Sequence, residues 1–389
     1  MTQEITCANR LNMVSEYYFS QKLKEVARLN AEGKDIINLG IGNPDIPPSQ
    51  TTIDTLVNDV QKSDAHGYQP YAGISELRNA FADFYQHWFR VTLDPTTEIL
   101  PLIGSKEGIL HITLAFVNPG EQVLVPNPGY PTYTSLSNLL GAEVIPYDLN
   151  EETDWLPNFE ALEQLDLSRV KLMWTNYPHM PTGKNGTLEL YRKLVEFGRK
   201  HAITIVNDNP YSFILNKKPL SILQIPEAKN TCIEINSMSK SHNMPGWRMG
   251  VAVSNPTFIS WILKVKSNID SGMFRPLQLA ATAALHNSDE WHELMNRKTY
   301  HKRRIIAEQI MDVLECSYDK TQVGLFLWGK ISDRYTNAET LTEEILHRAQ
   351  VFITPGFIFG SNGVRYIRLS LCSSEDDLLK ALTRIRKIK

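Results

Sequence analysis

From residue 98 onward, short apolar runs alternate with longer stretches of helical spacing. The segments 99–103, 122–125, 144–147, 170–175, 203–206 and 231–235 are apolar, mostly rich in β-branched residues, and bounded by Gly, Pro, Asn or Asp. Such runs read as buried strands. Between them, Ile109, Ile112, Leu114 and Phe116 fall in one expected helix, and residues 188–200 in a second. Strands alternating with helices predict a mostly parallel sheet covered by helices on both faces.

The flanks carry a different pattern. Residues 14–32 place Val14, Tyr17, Tyr18, Leu23, Val26, Ala27 and Leu29 on a loose helical face that ends near Gly33. A further helix is expected with Leu77, Ala80, Phe81, Phe84 and Trp88 on one side, and another from Pro256 to Ile269. From about Pro276 helices dominate, including a long one holding Trp291, Leu294, Ile305, Ile306, Ile310 and Leu314. Strand-like runs follow at 324–330, 351–354 and 364–369. The 389 residues exceed one ordinary core, so two unequal domains are expected. The division is 46–275 for a large α/β domain, with 1–45 and 276–389 forming a smaller α+β domain from both termini.

Composition narrows the function classes. A net charge of −3, with Lys and Arg spread along the chain, gives no basic stripe for nucleic acid. The four cysteines are far apart and lack metal-ligand spacing, so a reducing compartment and no metal site are expected. No signal peptide and no apolar run of about 18 residues is visible, which predicts a soluble cytoplasmic protein with no membrane partner.

The chemistry gathers around 236–250, Asn-Ser-Met-Ser-Lys-Ser-His-Asn-Met-Pro-Gly-Trp-Arg-Met-Gly, read as a polar loop between two strands. A solvated basic turn is the ordinary fate of such residues. Here, however, two serines, Lys240 and Arg248 converge where apolar strands end. That combination suits a carbonyl, which an amine can attack, together with a phosphate, which a guanidinium can hold bidentately. Upstream, Gly40-x-Gly42 suggests a dinucleotide loop, but Asp45 replaces the third glycine and Pro44, Pro47 and Pro48 forbid the helix. A dehydrogenase is the weaker reading.

The segment around Lys240 resembles the Ser-x-Ser-Lys-(seven residues)-Arg-x-Gly signature of the class I/II aminotransferases, fold type I enzymes that use pyridoxal phosphate. The resemblance implies that Lys240 forms the Schiff base with the cofactor, and that Ser237, Ser239 and Arg248 surround its phosphate. Further segments follow the family's order. Gly104, Ser105 and Lys106 open a helix where the cofactor phosphate sits, and Tyr130 matches the aromatic that stacks on the pyridine ring. Asp208 and Tyr211 match Asp-x-x-Tyr, a carboxylate facing the ring nitrogen and a phenol near the phenolate oxygen. Gly42 and Arg368 match the substrate-carboxylate site, with Arg365 facing away as a structural residue. Tyr68 matches a tyrosine that reaches the neighbouring subunit's cofactor, which implies a homodimer with shared active sites.

One position departs from the family. Met180 stands where the Asn-Pro-Thr-Gly turn has its asparagine. A thioether is a poor acceptor and no donor, so methionine is not expected to reach the cofactor's phenolic oxygen or to brace Arg368. His179 is the neighbouring substitute, but adjacent residues on an extended turn face apart. The implied activity is amino-group transfer from an L-amino acid to a 2-oxo acid by a ping-pong mechanism. The alternatives are a β- or γ-lyase on the same fold and a non-enzymatic relative. The accepted side chain is not legible, although Tyr17 and Tyr18 are candidates to border its pocket.

Overall fold

The computed structural model describes residues 5–14 and 18–389; Tyr17 lies outside them. Seven strands form the central sheet: β1 (Ile99–Leu102), β2 (Gln122–Asn127), β3 (Glu143–Asp148), β4 (Val170–Thr175), β5 (Thr204–Asp208), β6 (Cys232–Ser237) and β7 (Gly250–Val253). Their spatial order is β1-β7-β6-β5-β4-β2-β3, and only β7 runs antiparallel to its neighbours. The carboxyl ends of the other six therefore share one edge, the edge where open α/β sheets present their sites. Strands β4, β6 and β7 are almost wholly buried, as continuous apolar runs covered on both faces should be.

Local chemistry sets the helix limits. Thr187 caps Leu188–His201 by accepting from the Leu190 amide, and Arg199, Lys200 and His201 occupy its last turn, where cations oppose the helix dipole. Asn255 caps Pro256–Lys266, with proline at the first position, where its missing N–H costs nothing. That helix ends three residues before the expected Ile269.

The second apolar core lies over the carboxyl edge of the sheet. It joins Ile37 and Leu39 to residues from Trp291 through Ile385. Its sheet holds three antiparallel strands, Thr354–Pro355, Tyr366–Ser370 and Phe326–Lys330. The run 351–354 is divided, because Val351–Phe352 pairs in parallel with Ile37–Asn38 instead. The chain's early and late segments thus build one body, as expected from the sequence. Helix Arg275–His286 packs on Gln50–Val60 and Ser75–Phe89, with Ala281, Ala284 and Leu285 in the larger core.

Two helical expectations change. The long helix after Pro276 is Ser288–Met295 and His301–Val313, joined by a π-helical turn at Asn296–Tyr300. The Asn296 side chain explains the turn: it accepts from the Leu215 amide at 2.7 Å and donates to the Phe213 carbonyl at 2.8 Å. A π-turn can re-aim one residue without ending a helix. The other change concerns Lys240, which lies in a four-residue helix, Met238–Ser241, rather than a loop. No helix among the described residues is long and apolar enough to cross a membrane.

Candidate active site

Five turns at the carboxyl edge of the sheet, together with the second body, enclose a cavity of about 540 Å³. Strand β6 ends at Ser237, whose hydroxyl accepts from the Ser239 amide at 3.2 Å and starts the short helix that carries Lys240. The Lys240 ammonium donates to the Gly42 carbonyl, so the two segments meet. Burial, with Arg368 and Arg248 adding repulsion against an opposing Cys372 contribution, holds this amine below its usual value. More of it is neutral, the form in which an amine attacks or takes a proton.

Arg248 sits in the left-handed backbone region, at φ 55°. Its Nη1 donates to the Pro245 carbonyl at 2.8 Å and to the Ser239 hydroxyl at 3.4 Å. The guanidinium lies against Gly104, where a methyl group would collide with it. Gly104 also has φ 81° and precedes the helix Ser105–Phe116, whose first residues, Ser105 and Lys106, line the same cavity. Gly250, two residues after Arg248, is equally constrained. A Cβ there would come within 2.9 Å of both the Asn236 carbonyl and the Ser105 amide. The Arg-x-Gly spacing thus brings a guanidinium and a helix start together. Ser105, Lys106, Ser237, Ser239 and Arg248 all line the cavity.

Asp208 ends β5 on the cavity's other side and is 4% exposed. Its Oδ2 accepts from the Tyr133 hydroxyl at 2.8 Å, while Oδ1 is buried with no hydrogen-bond partner. Burial raises its pKa to about 7, against the lowering effect of Tyr133. A buried carboxylate with one unused oxygen, on a residue that lines a cavity, suits a protonated nitrogen. Tyr130 and Tyr211 complete this part of the wall, and burial raises both phenols.

Arg368 projects from the central strand of the second sheet and is 4% exposed. Its Nη2 donates to the Gly40 carbonyl at 2.7 Å and its Nη1 to Met180 Sδ at 3.3 Å. The expectation that Met180 cannot brace Arg368 is thereby corrected: the thioether lies directly against the guanidinium, as a weak acceptor. Arg365 faces away and pairs with Asp333 at 2.8 Å. His179 turns from the cavity to Thr182, Nδ1 to Oγ1 at 2.8 Å, and burial depresses its pKa to about 3. It offers no substitute for the missing asparagine.

Gly42, Ser105, Lys106, Tyr130, Asp208, Tyr211, Ser237, Ser239, Lys240, Arg248 and Arg368 therefore meet at one cavity, with Gly104 packed behind it. Tyr68 does not join them; it is 92% exposed. Sequence reasoning missed Tyr133, Asn176 and the rings of Phe19, Phe326 and Phe359. Asn176 lines the cavity but is occupied, donating to the Asp208 carbonyl at 2.5 Å and accepting from the Met180 amide at 2.8 Å. An asparagine directly after β4 was a visible signal, and the three rings had none.

Residues 34–385 match the family model for aminotransferase class I and II. The chain is 39% identical over 388 residues to an LL-diaminopimelate aminotransferase of Maridesulfovibrio salexigens, covering 99% of this chain and 100% of the relative. It is 38% identical over 384 residues to that of Aquifex aeolicus, covering 98% and 99%. Among solved structures, substrate-bound BacF from Bacillus subtilis superposes with a TM-score of 0.93 at 34% identity, covering 99% of this chain and 98% of that one. An aminotransferase from Staphylococcus aureus gives 0.89 at 28%, covering 98% and 99%. The chain belongs to the aminotransferase class I and II family and is an aminotransferase.

Proposed function

We propose that this aminotransferase works with pyridoxal phosphate in the cavity around Lys240, in a homodimer whose subunits share their active sites. The observation that carries the cofactor reading is the buried, unpartnered Oδ1 of Asp208, opposite Lys240 across a cavity that also holds Arg248 and a helix start. These residues fit the group. Asp208 would face the ring nitrogen and Tyr130 the ring itself, while Tyr211 would serve the phenolic oxygen. Gly104, Ser105, Lys106, Ser237, Ser239 and Arg248 would hold the phosphate. When bound, the cofactor supplies an electron sink for the α-carbon of an amino acid.

The chain's own residues do the rest. Lys240, whose pKa burial lowers from the usual lysine value, takes the α-proton in its neutral form and returns it to the other end of the transferred unit. Asp208, once opposite a cation, stays ionised and holds that cation's proton in place. Arg368 binds the substrate carboxylate beside Gly42, and the second body excludes water. Amino-group transfer from an amino acid to a 2-oxo acid follows. The lyase and non-enzymatic alternatives have no support in the curated relatives, which are named aminotransferases.

The dimer reading rests on Tyr68, a large side chain 92% exposed and outside its own chain's cavity. We place the domain boundary near residue 287 rather than 275, because helix Arg275–His286 packs on the larger body. Cys7, Cys232, Cys316 and Cys372 are all free, which agrees with a reducing, cytoplasmic setting. To test the cofactor assignment, the protein loaded with pyridoxal phosphate is reduced with borohydride and its peptides mapped. The pyridoxyl group is expected on Lys240, and finding it on another lysine would refute the reading.

A further inference from the structure

We propose that Arg303, paired with Asp45, is a positioning residue for the substrate carboxylate, setting the Gly42 segment against the strand that carries Arg368. The inference rests on the reading above, in which Gly42 and Arg368 receive that carboxylate. Arg303 lies on the helix His301–Val313 and is buried. Its Nη1 and Nη2 donate to Asp45 Oδ1 and Oδ2 at 2.7 and 2.8 Å, a two-pronged pair. The same Nη1 donates to the Leu371 carbonyl at 3.0 Å, three residues beyond Arg368. One guanidinium thus joins the two halves of the proposed carboxylate site. Neither Asp45 nor Arg303 is among the residues that line the cavity.

The Gly42 segment needs such a tie. Between Gly40 and Ser49, which caps the helix Gln50–Val60, the chain forms no helix or strand. Among the described residues, the hydrogen bonds to 41–48 run from Lys240 to the Gly42 carbonyl and from Arg303 to Asp45. Lys240 is the amine proposed to react, so its contact does not hold Gly42 in place throughout. The Asp45 pair stays intact whatever Lys240 does. On the other side the end of the Arg368 strand is already fixed. The Ser370 amide donates to the Leu39 carbonyl and the Leu371 amide to the Leu325 carbonyl, each at 2.8 Å. The spacing between Gly42 and Arg368 therefore follows from where Arg303 holds Asp45. A bound group that must meet both is sensitive to small displacements of either.

The test uses the full-length enzyme loaded with pyridoxal phosphate and compares each amino acid with the amine that lacks its carboxylate. L-Alanine is set against ethylamine and L-phenylalanine against 2-phenylethylamine, with the visible absorption followed after mixing. In Asp45→Asn, the apparent dissociation constants of the amino acids should rise by about fivefold or more, with limiting rates changed less. Those of the amines should change by less than about twofold. Arg303→Lys keeps the charge but loses the fork, and should show the same split even if Asp45→Asn does not fold. An equal loss for amino acids and amines would mark a general loosening, and no loss in either variant would leave the pair without a role. Both results overturn this inference and leave the aminotransferase reading intact. A wild type that gains no visible band on loading defeats the cofactor reading, and this inference with it.

Discussion

Arg368 donates to the sulfur of Met180 at 3.3 Å, an interaction between a cation and one of the weakest acceptors among protein side chains. The firmer hold comes from the Gly40 carbonyl at 2.7 Å and from Phe326 beneath the guanidinium plane. Arg368, the residue proposed to bind the substrate carboxylate, thus meets a backbone carbonyl and a thioether.

Replacing Met180 with Asn exchanges the thioether for an amide oxygen. A net gain of about 1 kcal/mol is expected, fixing the guanidinium and tightening a bound substrate carboxylate by about fivefold. Dissociation constants for a non-reacting carboxylate analogue measure this directly. Weaker binding in Met180→Asn would mean that the added oxygen turns away from Arg368. The same amide can donate to the cofactor's phenolic oxygen. The pH midpoint of the visible spectrum should then fall by somewhat less than one unit.

Asp208 offers a pH test in the cofactor-free protein. Its folded pKa of about 7 exceeds the usual carboxylate value, because burial disfavours the charge. The folded state therefore holds a proton that the unfolded chain has already lost between about pH 4 and pH 7. Stability contributed by this group is present at low pH and lost as pH rises through that window. Relative to Asp208→Asn, the wild type should lose ground in urea midpoint between pH 4 and pH 7. A parallel pH profile for the two proteins would contradict the raised value. In the loaded enzyme, Asp208→Ala should slow α-proton removal by about two orders of magnitude or more, because the electron sink is lost.

Tyr133 is the partner that Asp208 already has. Its hydroxyl donates at 2.8 Å, and its ring lies parallel to Trp174 with centroids 4.9 Å apart. Tyr133→Phe keeps the stack and removes the donor to a carboxylate, a change of about 1.5–3 kcal/mol. The α-proton step should slow roughly tenfold or more, with little change in thermal midpoint. A normal rate would leave the hydrogen bond without a catalytic role.

The two-body architecture and the Lys240 segment were legible because both rest on strong local signals. Buried strands are continuous apolar runs, and a lysine and an arginine at strand ends are rare enough to stand out. Tyr133 was not legible: it occupies the first turn of the helix Pro131–Leu139, where an aromatic reads as packing. Phe326 and Phe359 come from the second body, and only the tertiary fold brings them to Arg368. The helix around Lys240 was read as a loop because four residues carry no periodicity. Met180 was recognised as a departure, but its contact with Arg368 required the turn's actual direction.

The proposed sharing of active sites between subunits gives a complementation test. Tyr68→Ala and Lys240→Ala should each have little or no activity alone. Mixed after mild dissociation, they should recover up to about a quarter of wild-type activity, since random pairing makes half of the dimers hybrid, each with one intact site. No recovery, with hybrid formation confirmed by mass, would place Tyr68 outside the site.

The central claim is that this chain moves an amino group between carbon skeletons, with Lys240 handling the proton. The most direct measurement supplies a ¹⁵N-labelled L-amino acid and an unlabelled 2-oxo acid to the loaded enzyme and follows the label. The account predicts ¹⁵N in the amino acid formed from the acceptor, one equivalent of 2-oxo acid from the donor, and neither in Lys240→Ala. Label released as free ammonium, with no labelled product from the acceptor, would contradict it.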